Sequence, residues 1–324
     1  MSATMHAVRL HAFGGPGVLT YEEIGRPEPG PGEVLIRVHA AAFNPPDRYA
    51  RLGYANIPES LRPRLALPHL PGSDVSGVVA ALGPGVTEWQ VGDEVFGLVR
   101  FPSDPGRGGR GYAEYTTSPA GHLARKPASV DHVHAAGVPM AGLTAYQFLF
   151  DLIKPRPGDR VLVNGAAGGV GHFAVQLAKD ADAHVIGVAS GRHAAFLKEL
   201  AVDEFVDYTA VAAEDVVRDV DHVIDCVGGP GAHRFLAVLK DGGTITPVFL
   251  GDYRLEEAAR RGIRHVRGQV HSDGRQMGEL ARLLGEGRLR VGVDSVYPLR
   301  DAAGAHERAE RGHVQGKIIL RVAS

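Results

Sequence analysis

The chain of 324 residues has a single cysteine, Cys226, which excludes an internal disulfide framework and any zinc site built from several cysteines. Cys226 falls in the apolar run VIDCVGG, so we interpret it as a strand thiol rather than a nucleophile. No run of about 20 apolar residues is present, and the best candidate, residues 133–150, is interrupted by Gly137 and Pro139. The N-terminus lacks the apolar core of a signal peptide. We therefore expect a cytoplasmic protein with no membrane partner.

Neither sign of charge dominates the sequence. It contains 35 Lys and Arg against 37 Asp and Glu, which gives a formal net charge of -2. This balance offers no electrostatic reason to expect a nucleic-acid partner. Hydrophobic residues make up 44% of the chain, a share that is ordinary for a globular protein, and the length favours two domains.

The first 125 residues have the pattern of a β-rich region. Residues 34–42 alternate apolar and polar side chains, and residues 75–81 and 93–99 are further short apolar runs bounded by turn-forming glycine and proline. The composition of residues 100–111 predicts a loop. The Pro- and Arg-rich segment 55–70 is expected to form part of a cleft rim.

From about Lys126 the pattern changes to alternating helices and strands. Helical periodicity extends over residues 130–150 and recurs over 170–179 and 194–200, while short apolar runs predict strands over 160–164, 184–188, 223–227, 243–249 and 265–270. This alternation is typical of a parallel sheet with helices on both faces. Near residue 285 the pattern becomes strand-rich again and ends in a final strand over 316–322. We predict an α/β fold in which residues 1–125 and 285–324 form one domain and residues 126–284 form a Rossmann domain.

A glycine-rich turn lies between the predicted strand 160–164 and the helix that follows it. Glycines at such a place allow a sharp turn and let backbone N–H groups approach a pyrophosphate at the helix N-terminus. A glycine-rich turn also occurs for purely structural reasons, but the strand–turn–helix context favours a dinucleotide site. The predicted cofactor-binding residues are Gly165, Ala166, Ala167, Gly168, Gly169, Val170 and Gly171.

The end of the next strand bears on which dinucleotide is bound. NAD sites usually place a carboxylate there to hold the ribose 2′-hydroxyl, and residues 188–193 contain neither Asp nor Glu. Ser190 can hydrogen-bond, and Arg192 offers a cationic fork suited to a 2′-phosphate. A capping serine and a surface arginine are the alternative interpretation. We predict NADP(H) as the cofactor.

Several short motifs in order resemble the medium-chain dehydrogenase/reductase superfamily along nearly the whole chain, and within it the quinone oxidoreductase or zeta-crystallin branch. The matching stretches are PGPGEVL (29–35), NPPD (44–47), PGSDVSG (71–77), GDEV (92–95), GYAEY (111–115), AGLTA (141–145), the glycine turn, DGG (241–243) and GKIIL (316–320). The resemblance implies a GroES-like catalytic domain beside the Rossmann domain, with the active site in the cleft between them. It also implies a homodimer joined at the sheet edge near Thr244 to Gly251.

The resemblance also indicates that no metal is held. Zinc-dependent members have a cysteine where Asn44 stands and a His-Glu pair where Ser73 and Asp74 stand, so the usual thiolate and imidazole ligands are missing. A site without a Lewis acid suits acceptors that delocalise the incoming electrons themselves, such as quinones and α,β-unsaturated carbonyls. We therefore expect a metal-free, NADPH-dependent reductase acting on a small conjugated substrate.

The catalytic candidates lie in residues 44–54. By resemblance Asn44 occupies a cleft position from which its amide could bind substrate or cofactor, although it could equally fix the turn before Pro45. Tyr54 is a candidate proton donor or oxyanion partner, or else a half-buried aromatic, and Tyr49 is a weaker candidate. Asp47 is interpreted as structural. Thr144 is expected near the nicotinamide, and its alternative role is a hydrogen bond to its own helix.

Two other functions remain open. An enoyl-thioester reductase would need basic residues for the phosphate of an acyl carrier, and Arg51, Arg62 and Arg64 are available in the sequence. A protein that binds NADPH for a regulatory or structural purpose, without catalysis, is the alternative from a different functional class.

Overall fold

The computed structural model describes residues 3–55, 62–101 and 110–322. The predicted loop over residues 100–111 therefore lies largely outside the described residues, as do residues 56–61 of the segment 55–70. The N-terminal region is β-rich, as predicted, with one short helix. Its elements are β1 (Thr4–Leu10), β2 (Leu19–Gly25), β3 (Glu33–Ala42), α1 (Pro45–Arg51), β4 (Asp74–Leu82), β5 (Glu94–Leu98), β6 (Tyr115–Pro119) and β7 (Leu123–Arg125).

The helical stretch predicted over residues 130–150 is divided in the structure. It contains α2 (His132–Ala136), α3 (Pro139–Tyr146) and a π-helical segment, Gln147–Ile153. The Asp131 carboxylate accepts the His134 N–H and caps α2. Pro139 begins α3, because proline has no N–H to donate to the preceding turn and is favoured at a first helical position.

The middle of the chain forms a six-stranded parallel sheet with helices, which confirms the predicted Rossmann arrangement. The elements of this region are β8 (Arg160–Asn164), α4 (Gly171–Asp180), β9 (His184–Ala189), α5 (Ala194–Glu199), β10 (Glu204–Asp207), α6 (Ala213–Val216), β11 (Val220–Asp225), β12 (Leu239–Pro247), α7 (Leu255–Arg260), β13 (Arg264–His265) and α8 (Gly274–Gly285). The strand order is β10-β9-β8-β11-β12-β13. Helix α4 follows β8 after the glycine turn and buries Phe173 and Leu177 completely, so truncating either to alanine should cost about 2–5 kcal/mol.

The strand predicted over residues 265–270 is wrong beyond its start. The last ladder bond on this edge runs from the Val266 N–H to the Ile245 carbonyl, at 3.0 Å, and Pro247 has no N–H with which to continue it. Strand β13 nevertheless pairs with Thr244 and Ile245. The first two residues of the segment implied as a dimer contact therefore lie inside the sheet, and the homodimer stays a prediction.

The C-terminal segment returns to the N-terminal region. It contains β14 (Val293–Pro298), α9 (Ala302–Glu310) and β15 (Lys317–Arg321). Strand β15 pairs antiparallel with β3 through Ala40, Ala41 and Ala42, so both late strands join a seven-stranded sheet with β3, β4, β5 and β7, while β6 pairs with the other half of β3. The exact domain boundaries stay a prediction. Among the described helices, none combines the length and the apolar character needed to cross a membrane.

Candidate active site

A cleft of about 970 Å³ lies between the two regions. One side of its lining comes from α1 and β15, and the other comes from the carboxyl ends of β8, β9, β11 and β12, where open α/β sheets bind ligands. Within the described part of the chain, no Asp or Glu lines this cleft, whereas four residues that can carry positive charge do so: His193, Arg267, His313 and Lys317. This lining favours an anionic ligand.

The glycine turn closes tightly onto the sheet. Gly165 has a positive φ of 75°, and its N–H and that of Ala166 both donate to the Val188 carbonyl at 3.0 Å. A methyl group on Gly171 would overlap the Gly165 carbonyl oxygen and lie 2.8 Å from Ala166 Cα. Only glycine fits this close approach between the helix and the strand–turn connection.

The turn fits the pyrophosphate of a dinucleotide. The N–H groups of Gly169, Val170 and Gly171 make no hydrogen bond to any group in the described parts of the chain, and all three residues line the cleft at the N-terminus of the ten-residue helix α4. Unpaired amides at a helix N-terminus favour a bound anion through both hydrogen bonding and the helix dipole. Six of the seven predicted turn residues line the cleft, and Ala166 lies buried beneath the turn.

Of the two cofactor-binding residues predicted at the end of β9, Ser190 and Arg192, the structure places one in the cleft lining. Ser190 lines the cleft, and His193, Tyr208 and His313 line it as well. Arg192 is exposed and is not part of this lining.

Residues 188–193 contain no carboxylate, but a neighbouring strand places one beside the end of β9. Asp207, at the end of the neighbouring β10, pairs in register with Ala189. Its side chain accepts hydrogen bonds from the Thr209 hydroxyl and N–H, at 2.6 and 2.9 Å, which lower the pKa of the carboxyl. Asp207 does not belong to the described cleft lining, so the lining at this end remains free of carboxylates.

A buried polar network occupies the other side of the cleft. The Lys317 ammonium donates to Asn44 Oδ1 and, at 3.0 Å, to the Phe43 carbonyl. Asn44 Nδ2 donates to Asp74 Oδ2 at 2.9 Å, and that carboxylate lies 3.9 Å from Lys317 Nζ. All three side chains are almost completely buried. The network joins three distant parts of the chain: the start of α1, the start of β4 and the start of β15.

Burial perturbs every titratable group here. Desolvation raises the pKa of Asp74 to about 6, against the opposing effects of Lys317, Asn44 and the Met140 N–H. Desolvation lowers the pKa of Lys317, and the carboxylates of Asp74 and Asp47 oppose that shift. Burial likewise raises the pKa of Asp47 to about 7. Asp47 accepts the N–H groups of Asn44 and Gly72, each at 2.9 Å, which confirms its predicted bracing role.

The two tyrosines of the predicted site both line the cleft. Tyr54 is 4% exposed, has a positive φ of 54°, and its hydroxyl has no hydrogen-bond partner within the described residues. Burial, assisted by the charge of Asp47, raises the pKa of Tyr54 to about 12, so its hydroxyl stays protonated. Tyr49 stacks on Phe249 with 5.6 Å between ring centroids and closes the cleft from the side.

Thr144 and Cys226 complete the comparison with the sequence predictions. The Thr144 hydroxyl donates to the Met140 carbonyl at 2.7 Å, its alternative role, yet the residue also lines the cleft. Cys226 follows β11 rather than lying within it, and it lines the cleft as well. Burial raises the pKa of the Cys226 thiol, which fits the prediction that it is not a nucleophile.

Sequence reasoning missed Lys317, the residue at the centre of the polar network. The motif GKIIL was interpreted as a final strand and as part of the family resemblance, and no site residue was predicted in it. A signal was nevertheless present, since a lysine that opens a strand of buried apolar residues must find partners for its charge.

Comparison with known proteins gives consistent results. The chain matches the model of the alcohol dehydrogenase GroES-like domain over residues 30–128 and that of a zinc-binding dehydrogenase over residues 200–320. It is 31% identical over 333 residues to the chloroplast envelope quinone oxidoreductase homolog of Arabidopsis thaliana, with 98% of each chain covered. It is 32% identical over 330 residues to the mitochondrial NAD(P)H oxidoreductase RTN4IP1 of Mus musculus, with 90% of this chain and 82% of that one covered.

A solved structure supports the same relationship. The quinone oxidoreductase from Coxiella burnetii superimposes with a TM-score of 0.89 at 34% identity, covering 99% of this chain and 100% of that one. The GroES-like fold expected for the N-terminal region is thereby confirmed. Two of these relatives are described as organellar, so the cytoplasmic location stays a prediction. With identity above 30% over nearly its full length, the chain belongs to the medium-chain dehydrogenase/reductase superfamily of oxidoreductases, in its quinone oxidoreductase branch.

Proposed function

We propose that this protein is an NADPH-dependent reductase that delivers a hydride to a quinone or an α,β-unsaturated carbonyl without a metal ion. One observation carries the proposal. A single cleft has the unpaired amides of the glycine turn on one side and Asn44 and Tyr54 on the other, the buried Tyr54 hydroxyl has no partner among the described residues, and no carboxylate is found in the described lining. The names of the relatives, quinone oxidoreductase and NAD(P)H oxidoreductase, fit this arrangement.

The lining near β9 supports NADPH over NADH. Ser190, His193 and Tyr208 offer hydrogen-bonding groups there. Arg192 lies two residues beyond Ser190 and has an exposed side chain, and we assign it to the ribose 2′-phosphate. A guanidinium–phosphate hydrogen bond is worth about 1.5–3 kcal/mol. The bound nicotinamide would supply the hydride, and the chain's own residues would bind and orient it.

The protein's part in the reduction is to stabilise and protonate an oxyanion. When a conjugated acceptor takes up a hydride, negative charge develops on its oxygen, and a hydrogen-bond donor aimed there lowers the barrier. Tyr54 offers a hydroxyl that no other described group uses. Asn44 has one Nδ2–H remaining after its bond to Asp74. We assign Tyr54 and Asn44 to the acceptor oxygen and Tyr49, with its stacked partner Phe249, to the apolar face of the substrate.

The polar network supports chemistry without a metal. Asn44 and Asp74 hold the positions at which zinc-dependent relatives have ligands, and here they face the Lys317 ammonium. A second cation at this place would be repelled by the ammonium across a desolvated site.

The thioester reductase alternative loses one of its supports in the structure. Arg51 is completely buried and paired with Glu310, so it is not available to an acyl-carrier phosphate. Arg267, an exposed residue of the cleft lining, is the basic group that could take its place. Enoyl-thioesters therefore belong among the acceptors to be tested.

The first experiment follows the absorbance of the reduced nicotinamide with NADPH or NADH and a panel of quinones, enones and enoyl-thioesters, before and after chelation. Oxidation that is selective for NADPH and survives the chelator is the expected result. Loss on chelation would overturn the metal-free assignment. Cofactor binding without turnover on any acceptor would favour the non-catalytic alternative.

A variant pair tests the cofactor assignment. Arg192→Ala should weaken NADPH binding about tenfold and leave NADH binding unchanged, because only NADPH carries the 2′-phosphate. Lys198→Ala, which removes another exposed cation from the adjoining helix α5, is the matched control and should change neither. Equal effects of Arg192→Ala on both cofactors would contradict the assignment.

A further inference from the structure

Lys317 is a buried lysine in the described cleft lining, and it touches both of the regions that form the cleft. Its side chain passes over the glycine turn, where a Cβ on Gly169 would lie 3.4 Å from Lys317 Cδ. The preceding residue, Gly316, donates its N–H to the Ala167 carbonyl at 2.8 Å. The ammonium itself reaches Asn44 at the start of α1. A single side chain, that of Lys317, thus connects Asn44 with the glycine turn.

The chemistry of the partners decides which way the Asn44 carboxamide faces. An ammonium can only donate, so the atom that meets Lys317 must be the oxygen, Oδ1. A carboxylate can only accept, so the atom that meets Asp74 must be Nδ2. With these two bonds made, one Nδ2–H remains, and Asn44 lines the cleft.

We propose that Lys317 is a positioning residue of the reductase site: its ammonium locks the Asn44 carboxamide in the orientation that presents an N–H donor, rather than the oxygen, to the cleft. The inference rests on the proposed function for its catalytic consequence. Its structural content, the orientation of one amide, can be measured without turnover.

Removing the ammonium should release that lock. In Lys317→Met, Asp74 would be a buried carboxylate without a counter-ion, so it would take up a proton at a higher pH than in the wild type. A protonated Asp74 has an O–H to donate, and Asn44 could then turn its oxygen toward Asp74. The orientation of the carboxamide would become dependent on pH.

The other titratable groups near this network are known. Asp47 on α1 interacts electrostatically with both Asp74 and Lys317, Tyr112 interacts with both carboxylates, and His172 on α4 interacts with Lys317. Burial lowers the pKa of His172 to about 4 and raises that of Tyr112, so neither changes charge near neutral pH. Asp47 is the remaining group that could titrate, because burial raises its pKa to about 7.

Selective labelling makes the amide observable. The sequence contains three asparagines, Asn44, Asn56 and Asn164. Asparagine-selective ¹⁵N labelling therefore gives three side-chain NH₂ groups, and the Asn44→Ala variant assigns one of them. In the wild type we expect the Asn44 NH₂ signals to stay constant above about pH 8, where Asp47 and Asp74 are both ionised. In Lys317→Met they should still titrate above that pH, because Asp74 then keeps its proton to a higher pH.

Two further variants identify the cause of that titration. Lys317→Met with Asp74→Asn should abolish it if Asp74 is the titrating group, whereas a response that persists would point to Asp47 and overturn the assignment. Lys317→Arg keeps the charge and should restore the pH dependence of the wild type. Lys240→Met removes an exposed lysine paired with Asp221 and is the matched control for the loss of one cation.

Kinetics separates this proposal from the proposed function. Lys317→Met should lower kcat about 10²-fold with NADPH affinity little changed, because a misdirected donor affects the transition state more than cofactor binding. If Lys317→Met had the kcat of the wild type and its Asn44 signals had the pH dependence of the wild type, the positioning role would be overturned. The proposed reductase function would be unaffected by that result. A wild type without turnover would overturn the proposed function, and the amide titration would still decide the role of Lys317.

Discussion

At the scale of single residues, Tyr54 is the side chain whose burial is hardest to explain by packing alone. A tyrosine with positive φ is strained, by about 1–3 kcal/mol, and this one also buries a hydroxyl with no partner among the described residues. Such costs persist where a structure holds a group ready for a ligand. The backbone is held by the bond from the Tyr54 N–H to the Tyr49 carbonyl, at 2.7 Å.

Tyr54→Phe therefore should separate activity from stability. Removing the hydroxyl should lower kcat about 10²-fold, because a donor to the developing oxyanion is lost. The free energy of unfolding should stay equal or rise by about 1 kcal/mol, because an unsatisfied buried donor is removed. Steady-state kinetics and denaturant unfolding measure the two effects. A variant that is markedly less stable, with activity falling in proportion, would show that the hydroxyl has a structural partner instead.

At the scale of elements, the connection from β8 through the glycine turn to α4 carries the cofactor site. Gly171→Ala would place a methyl group against the Gly165 carbonyl, so the turn would have to open. We expect a loss of about 1–3 kcal/mol of stability and a fall in NADPH affinity of tenfold or more. Fluorescence titration and thermal unfolding, each with and without NADPH, would show both effects.

The same substitution of glycine by alanine, at an exposed position, provides the control. Gly278 is exposed on α8, and a Cβ there would meet nothing within 4 Å. Gly278→Ala should leave cofactor binding unchanged and raise stability by up to about 1 kcal/mol through helix propensity. If Gly171→Ala bound NADPH as the wild type does, the turn could not be the pyrophosphate site.

Elements were predictable from sequence where local pattern determines them. Strands β3, β4 and β8 and helix α4 follow from alternation, short apolar runs and a 3.6-residue period, and their bounds agree with prediction to within a residue. The end of β13 was not predictable from its own residues, because it depends on Pro247 in the neighbouring strand. Lys317 was missed for the same reason: its partners Asn44 and Asp74 are more than 240 residues away in sequence and reach it only through tertiary packing.

At the scale of the whole molecule, the C-terminal helix α9 is attached to α1 through a partly buried, charged contact. Arg51 at the end of α1 is completely buried and pairs with Glu310 at the end of α9. His306, on the same helix, is also completely buried, with the ring of Phe43 edge-on at 4.8 Å. Neither ring nitrogen of His306 has a partner among the described residues. Folding therefore favours the neutral form of this imidazole.

His306 should make the whole protein sensitive to acid. Burial, together with the charges of Arg51 and Arg48, lowers the pKa of His306 to about 3 in the folded state, against about 6.5 in the unfolded chain. Because the unfolded state binds the proton more readily, the stability contribution is complete above about pH 6.5 and declines as pH falls toward the folded pKa. By about pH 5 the loss from this one group is about 2 kcal/mol.

His306→Leu retains apolar packing and removes the titration. Denaturant unfolding at about pH 8 and about pH 5 should show the wild type losing about 2 kcal/mol more than the variant between the two conditions. Buried His69 and His172, whose pKa values burial lowers to about 4, remain in both proteins, so their contributions cancel in the comparison. Equal losses in the two proteins would mean that His306 finds a hydrogen-bond acceptor when it is charged, and that the contact between α1 and α9 tolerates its protonation.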